Sequence, residues 1–505
     1  MHYVNIVFKF LYPFIFEEYS TMNDNKHIND SEPTIVSFEE LHNSKSTDKA
    51  SGKDNNSFIS NPLSKSEEIS GKASDDLSKP YTVTNVPKSK REKLSGHFAR
   101  LGIVLSVCMI LYLFFVFSNI AFIKKWRTIY IETAMTTNTH QWLATWFIPN
   151  YIIADVMLKY DEGREAQEDL ASTWDDVEDI IDSTEDLEFF KKYWELKSDS
   201  FSDYIKKHPD LVKDGYDNLV IEDLNQKLKL KTSEDDDLLV VDIPNNLLII
   251  GVKGSGYQGK MAIIKESEQV FMAKSTSLGS FGQEIDSFCE TNDAILGINA
   301  SGFVDPKGES FGSQVKGCLV IDGVDYGSHH EEPAWKYFGV KEKDERMYIS
   351  YFTPGMQEEY RWAMEFYPGL IIDGKSVVDG TYGMGIQPRS TIGQTKDGTM
   401  LLLVVDGRQA HSIGCTVEDC ADIMLRYKAY QGMNLDGGSS SVMYYKGQFI
   451  TKSSSVTGRG RYMPNAILVK AASKTKFKKG SSTAGNNNKN NDDNNGDIIK
   501  SEPAN

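Results

Sequence analysis

Asp406 and Asp436 each close an apolar run, MLLLVVDG and MNLDGG, and each is followed at once by glycine. A carboxylate at such a position can move a proton or face a developing positive charge, and the glycine behind it lets a ligand approach the backbone. For either aspartate alone, a turn-capping role is about as well supported. Behind Asp436 stand Gly437, Gly438, Ser439 and Ser440, a stretch short of bulk and rich in hydroxyls. Arg408 follows Asp406, and QPRSTIGQTKDG places Arg389, Ser390 and Thr391 together. Arginine presents a planar fork of donors that matches a phosphate or carboxylate, and neighbouring hydroxyls add further hydrogen bonds. Asn299 ends the run AILGIN, and GRGRYMPNAILV offers Arg459 and Arg461. The chemistry within reach of this set is proton transfer beside a bound anion.

These residues need elements that bring them together. LLVVDI, LLIIGV, AILGIN, CLVID, LIID, MLLLVVDG and NAILVK are short, apolar and bounded by glycine or turn residues, which predicts strands. TVEDCADIMLRYKAY predicts a helix with Thr416 and Asp419 as a capping box and an apolar face of Val417, Cys420, Ala421, Met424 and Leu425. Strand, crossover helix and strand would carry Asp406 and Asp436 to one edge of a sheet, where ligands commonly sit. Residues 238–470 are therefore expected to form a single α+β or mixed α/β domain with a mixed sheet and flanking helices.

INASGFVDPKG, QPRSTIGQTKDG, VVDGRQ, NLDGGSSS and RYMPNAILV, in that order, resemble the phosphodiester glycosidase family. That family includes a lysosomal enzyme that removes N-acetylglucosamine from a phosphodiester, and bacterial membrane proteins labelled exopolysaccharide biosynthesis. TAMTTNTHQWLATWF is similar to the membrane-anchored members, so the resemblance covers residues 125–165 and 238–470. It implies hydrolysis at the anomeric carbon of a sugar 1-phosphodiester through an oxocarbenium-like transition state. Asp436 would be nucleophile or base and Asp406 its partner, with Arg389 and Arg408 on the phosphate. Asn299 would meet a sugar hydroxyl, and Ser390, Thr391, Gly437, Gly438, Ser439, Ser440 and Arg461 would complete the substrate contacts. The asparagine motif of the family often reads NGGFF, whereas here Ser301 and Phe303 leave a different lining, and Ser439 follows only two glycines, so the sugar stays open.

Residues 101–123 carry no charge over a length sufficient to cross a hydrocarbon core of about 30 Å, which predicts a transmembrane helix within 99–123. Lys88, Lys90, Arg91, Lys93 and Arg100 precede it and Lys124, Lys125 and Arg127 follow, an excess that places the N-terminus in the cytoplasm and the large C-terminal part outside. Residues 1–98 and 471–505 are too polar to order themselves, and 124–237 read as juxtamembrane and acidic helical sequence. Translation from Met22 rather than Met1 would remove the apolar opening. Cys289, Cys318, Cys415 and Cys420 are an even set that an oxidising exterior would let pair, in an arrangement the sequence leaves open.

The formal charge of −17 disfavours nucleic acid as a partner. An anionic wall polysaccharide or a sugar phosphodiester is the expected partner, with oligomeric state open. No metal or other cofactor is expected; calcium on clustered oxygens is conceivable, but no EF-hand-like spacing supports it. GESFG matches G-x-S-x-G, yet turn residues on both sides disfavour a serine hydrolase. HHEE at 329–332 reads as a surface loop rather than a metal site. The competing reading of the whole is a membrane-anchored module that binds an anionic polymer without cleaving it.

Overall fold

The computed structural model describes residues 90–174, 185–305, 308, 310–327 and 335–472. Both polar termini, most of the expected N-terminal tail and the HHEE stretch lie outside the described residues.

A nine-stranded sheet forms the centre, in the spatial order Val220–Glu222, Asp237–Asp242, Leu247–Gly254, Tyr257–Ile264, Met400–Val405, Arg389–Thr395, Ala429–Asn434, Gly369–Ile372 and Lys375–Ser376. Every neighbouring pair is antiparallel. Met400–Val405 and Ala429–Asn434 both pair with Arg389–Thr395 between them and so run parallel to each other, with the helix Val417–Arg426 as their crossover. The expected strand, helix, strand unit is present with one strand inserted. Asp406, Asp436 and the start of Arg389–Thr395 consequently share one sheet edge.

Two five-stranded antiparallel sheets complete the β structure. One contains Lys336–Lys341 and Tyr360–Phe366; the other places Ala294–Asn299 between Met443–Tyr445 and Asn465–Lys470. The fold is a mixed helix-and-sheet arrangement whose strand neighbours are antiparallel.

Period-two alternation divides the central sheet into two buried faces. Met400, Leu402 and Val404 pack with Ile298, Met443 and Ile467 of the smaller sheets. Leu401, Leu403 and Val405 pack with Val417, Cys420 and Met424 of the crossover helix. That helix begins as expected: the Asp419 amide donates to Thr416 Oγ1 over 3.0 Å and the Thr416 amide to Asp419 Oδ2 over 2.8 Å. Cys415 and Cys420 lie together on this layer, Sγ to Sγ 3.4 Å, whereas Cys289 and Cys318 belong to two other clusters.

The apolar run at 101–123 is not one helix. Lys90–Phe117 ends before Ser118, and a new helix, Ala121–Met135, starts after Ile120. Arg127 of the second helix donates Nη1 to the carbonyls of Phe115 (3.2 Å), Val116 (2.7 Å) and Ser118 (3.0 Å), satisfying acceptors that a helix end leaves open. The 19 residues Ala99–Phe117 are long and apolar enough to cross a membrane.

The second helix is latched onto the sheet domain. Gln387 Nε2 donates to Thr133 O (2.9 Å) and Thr136 Oγ1 (3.1 Å), and the Ile386 amide donates to Thr133 Oγ1 (3.1 Å). Tyr382 and Gln167 add a second latch through Gly163 O and the Gly369 backbone.

Candidate active site

Asp436 follows the strand Ala429–Asn434 and opens a short helical turn, Gly438–Ser440. Its amide donates to Ala300 O over 3.1 Å, and its carbonyl accepts from Asn299 Nδ2 over 2.6 Å. Asn299 Oδ1 in turn accepts from Ser390 Oγ (2.7 Å) and the Val442 amide (3.3 Å). Fully buried Asn299 thus ties the central sheet to the smaller one at the point where Asp436 emerges.

The Asp436 carboxyl is pushed up to about 6, chiefly because burial disfavours its charge and further because the Asp305 carboxylate repels it. Ser440, the Arg461 guanidinium and the Gly437 backbone pull the other way. A carboxylate poised near neutrality beside a cation is suited to act as base or nucleophile.

The second carboxylate at this centre is Asp305, from the loop after Ala294–Asn299. Asp305 Oδ2 accepts from Arg461 Nη2 over 2.8 Å, and Oδ1 accepts from the Ser310 amide over 2.8 Å. Arg461 Nη2 also reaches Ser310 O at 3.0 Å, and its guanidinium carbon lies 5.2 Å from the Phe303 ring centre. The loop after Ala121–Met135 joins here: Asn138 Nδ2 donates to Asp305 O over 3.4 Å.

Arg408 supplies the other cation. A Cβ on Gly438, whose φ is +60°, would lie 3.3 Å from Arg408 Nη2, so the glycine turn and the guanidinium are in near contact. Arg408 Nη2 donates to Gln387 Oε1 over 2.6 Å. Gln387 is the amide that grips Thr133 and Thr136, so the orientation of Arg408 is coupled to the helix Ala121–Met135. His140, on the loop after that helix, is held below its ordinary value by burial and by the Arg408 charge.

Residues 292–470 match the family model described as phosphodiester glycosidase. The matched segment contains Asn299, Asp305, Gln387, Arg408, Asp436 and Arg461. The chain is also similar to the SPbeta prophage-derived uncharacterized protein YomE of Bacillus subtilis (strain 168), 27% identical over 176 residues, which is 32% of this chain and 26% of that protein. The alignment therefore spans about a quarter of the relative's length. Among solved structures, the catalytic domain of zebrafish N-acetylglucosamine-1-phosphodiester alpha-N-acetylglucosaminidase, auto-inhibited by its pro-peptide, is 16% identical with a TM-score of 0.36, covering 45% of this chain and 82% of that one. A hypothetical protein from Synechocystis is 15% identical with a TM-score of 0.33, covering 46% and 63%.

Within the matched segment, the expected residues divide. Asp436, Gly437, Gly438, Ser440, Arg408 and Arg461 come together. Ser439 stands in the same turn, and its carbonyl accepts from Ser453 Oγ over 2.7 Å. Asp406 reaches the same sheet edge, but its carboxylate accepts from the Lys452 amide (2.9 Å) and faces His411 Nε2 (3.1 Å). Asp305, rather than Asp406, is the carboxylate beside Asp436.

Strand alternation separates Arg389 from Ser390. Arg389 points into the crossover-helix layer, where its guanidinium donates to the carbonyls of Met384 (3.1 Å), Gly385 (3.0 Å) and Cys415 (3.4 Å). Thr391, two residues on, faces the same layer and meets Met424 Sδ at 3.7 Å. Arg459 turns toward Glu284 and Asp286 at the start of the helix Ile285–Thr291. Ser310 of GESFG sits in a loop, where its Oγ accepts from the Gly312 amide. Among the described residues no group of three or more His, Cys, Asp or Glu is placed to hold a metal ion.

Sequence reasoning missed Asp305, Gln387 and the loop around Asn138 and His140. Asp305 did lie inside INASGFVDPKG, and an acidic residue six positions after Asn299 was the available signal. Nothing local marked Gln387, because its importance lies in contacts with residues about 250 positions earlier.

Proposed function

We propose that this chain is a membrane-anchored hydrolase of sugar 1-phosphodiesters, acting on a cell-surface or wall polysaccharide. The single observation that carries the reading is the Asp436 carboxyl, pushed up to about 6 beside the Asp305–Arg461 pair, inside a segment that matches phosphodiester glycosidases.

The chemistry follows from the bond. Cleavage at the anomeric carbon develops positive charge on the sugar, which the Asp436 carboxylate stabilises or attacks. The leaving group is a phosphate monoester, a weak base, so departure needs cationic donors more than a strong acid. Arg408 and Arg461 flank Asp436 and supply them. Gly437 and Ser440 hold the carboxylate, Gly438 admits the substrate, and Asn299 with Ser390 fixes the strand end. Arg389 takes a positioning role: it holds the 384–387 turn from which Gln387 orients Arg408.

Ala99–Phe117 is assigned as the single span, with the charge bias placing the N-terminus in the cytoplasm and the sheet domain outside. The test is release of free sugar from purified sugar-1-phosphodiester polymers by the full chain, compared with Asp436→Asn. Sugar release that disappears in the variant supports the assignment. Tight binding of the same polymers with no sugar released overturns it in favour of a non-catalytic binding module.

A further inference from the structure

Phe281, Phe311 and Tyr462 form an exposed aromatic cluster beside the candidate site, with 40%, 56% and 38% of their surface open to solvent. Phe281 and Phe311 stack with ring centres 4.8 Å apart at 20°, and Tyr462 meets Phe281 edge-on at 4.9 Å. Large aromatics left this open in a built arrangement mark a binding surface more often than a packing accident.

The arrangement is built by the backbone. The Gly282 amide donates to Phe311 O (2.7 Å), and Gln283 and Met463 exchange amide bonds of 2.9 Å. A Cβ on Gly282 would lie 2.6 Å from Met463 O, and one on Gly312, whose φ is +61°, 2.2 Å from Tyr462 O. Three chain segments are therefore clasped closely enough to fix the rings before any ligand arrives, which lowers the entropy lost on binding.

The cluster is continuous with the catalytic centre. Tyr462 follows Arg461, the partner of Asp305, and Phe311 follows Ser310, whose carbonyl accepts from Arg461. Around Phe281 the segment STSLGSFGQ, residues 275–283, carries hydroxyls and no charge, with Thr276, Ser277 and Ser280 at its turn and Thr276 and Ser280 exposed. Apolar ring faces rimmed by neutral hydroxyls suit the C–H face and hydroxyl edge of a pyranose. An anionic lipid surface would call for lysine or arginine in that rim.

Resting on the phosphodiester glycosidase reading, we propose that Phe281, Phe311 and Tyr462 form a second sugar subsite, which stacks a neutral sugar ring of the substrate polymer next to the residue cleaved at Asp436. Substrates longer than one sugar then gain affinity that a single sugar phosphodiester lacks.

The experiment uses the full chain in lipid nanodiscs. Kinetics are compared on a single-sugar 1-phosphodiester and on an oligosaccharide carrying the same bond. Phe311→Ala and Phe281→Ala are expected to lower the oligosaccharide-to-single-sugar ratio of kcat/KM about tenfold, through KM, with Phe311→Tyr restoring it. Independently of turnover, Phe311→Trp reports binding of the phosphate-free oligosaccharide by its fluorescence, and Phe281→Ala in that background is expected to weaken it. This arm stands even if no phosphodiester is hydrolysed, so failure of the subsite and failure of the catalytic reading are separable. An unchanged ratio with no fluorescence response overturns the proposal. Quenching of the Phe311→Trp variant by brominated lipids beyond that of the parent also overturns it, assigning the cluster to the membrane surface.

Discussion

Replacing Asp436 by asparagine should abolish activity while making the protein more stable at neutral pH. The carboxyl moves from an ordinary 3.8 to about 6 in the fold. At about 1.4 kcal/mol per unit, the ionised carboxylate opposes folding by roughly 3 kcal/mol once the pH is above both values. The sign follows from proton affinity: the folded state holds this proton more tightly than the unfolded chain. Its contribution is favourable below about pH 4 and is lost as the pH rises through about 6. Asparagine keeps the shape and the acceptor for Ser440 but carries no charge. Thermal unfolding of the full chain in detergent, followed by tryptophan fluorescence, should therefore show the variant melting several degrees higher near pH 8 and together with the parent near pH 4. Sugar release should fall by about a thousandfold or more, since the group facing the anomeric carbon is gone. An equal stability loss at both pH values, or substantial residual turnover, would refute the reasoning.

The parent's kcat/KM should rise with pH through an acid limb near 6 as Asp436 ionises. Arg461→Met should move that limb upward, because the guanidinium holds the carboxyl down. It should also destabilise the fold by about 3 kcal/mol by leaving Asp305 buried without its partner, whereas Arg461→Lys loses less of both. Asn299→Ala strands the Asp436 carbonyl, the Ser390 hydroxyl and the Val442 amide, and urea unfolding should show a loss of about 2 to 4 kcal/mol. Gln387→Ala should lower kcat/KM about tenfold by releasing Arg408, and Gln387→Glu, which keeps the acceptor but loses the Nε2 donor to Thr133 O, should recover only part of it.

The strands and the crossover helix were legible because their signals are local: short glycine-bounded apolar runs, and a capping box at Thr416 with an apolar stripe behind it. Placement of Asp406 and Asp436 on one edge was legible too, since a strand, helix, strand unit allows little else. The direction in which each side chain points was harder to read. Arg389 and Ser390 are neighbours in QPRSTIGQ, yet alternation along a strand buried on both sides sends the arginine to the Cys415 carbonyl and the serine to Asn299. Asp406 shows the same limit, because a carboxylate at a sheet edge can turn to a backbone amide as readily as to a cleft. The interruption at Ser118 escaped notice because hydropathy continues through it; Arg127 stabilises the break by bonding the carbonyls on its far side.

The candidate site draws on more of the chain than the segment that matches the family model. Met400–Val405 sits between Arg389–Thr395 and Tyr257–Ile264, and Asn465–Lys470 pairs with Val270–Lys274. Residues 292–470 alone would expose both of those edges. They would also lack Thr133 and Thr136, whose oxygens hold the Gln387 amide while its Oε1 holds Arg408. An amide gripped at both ends transmits orientation, so a shift of the helix Ala121–Met135 displaces a guanidinium beside Gly438. The helix Ala121–Met135 is thus part of the geometry that orients Arg408, and the smallest piece that preserves the candidate site begins before Thr133 and ends after Lys470.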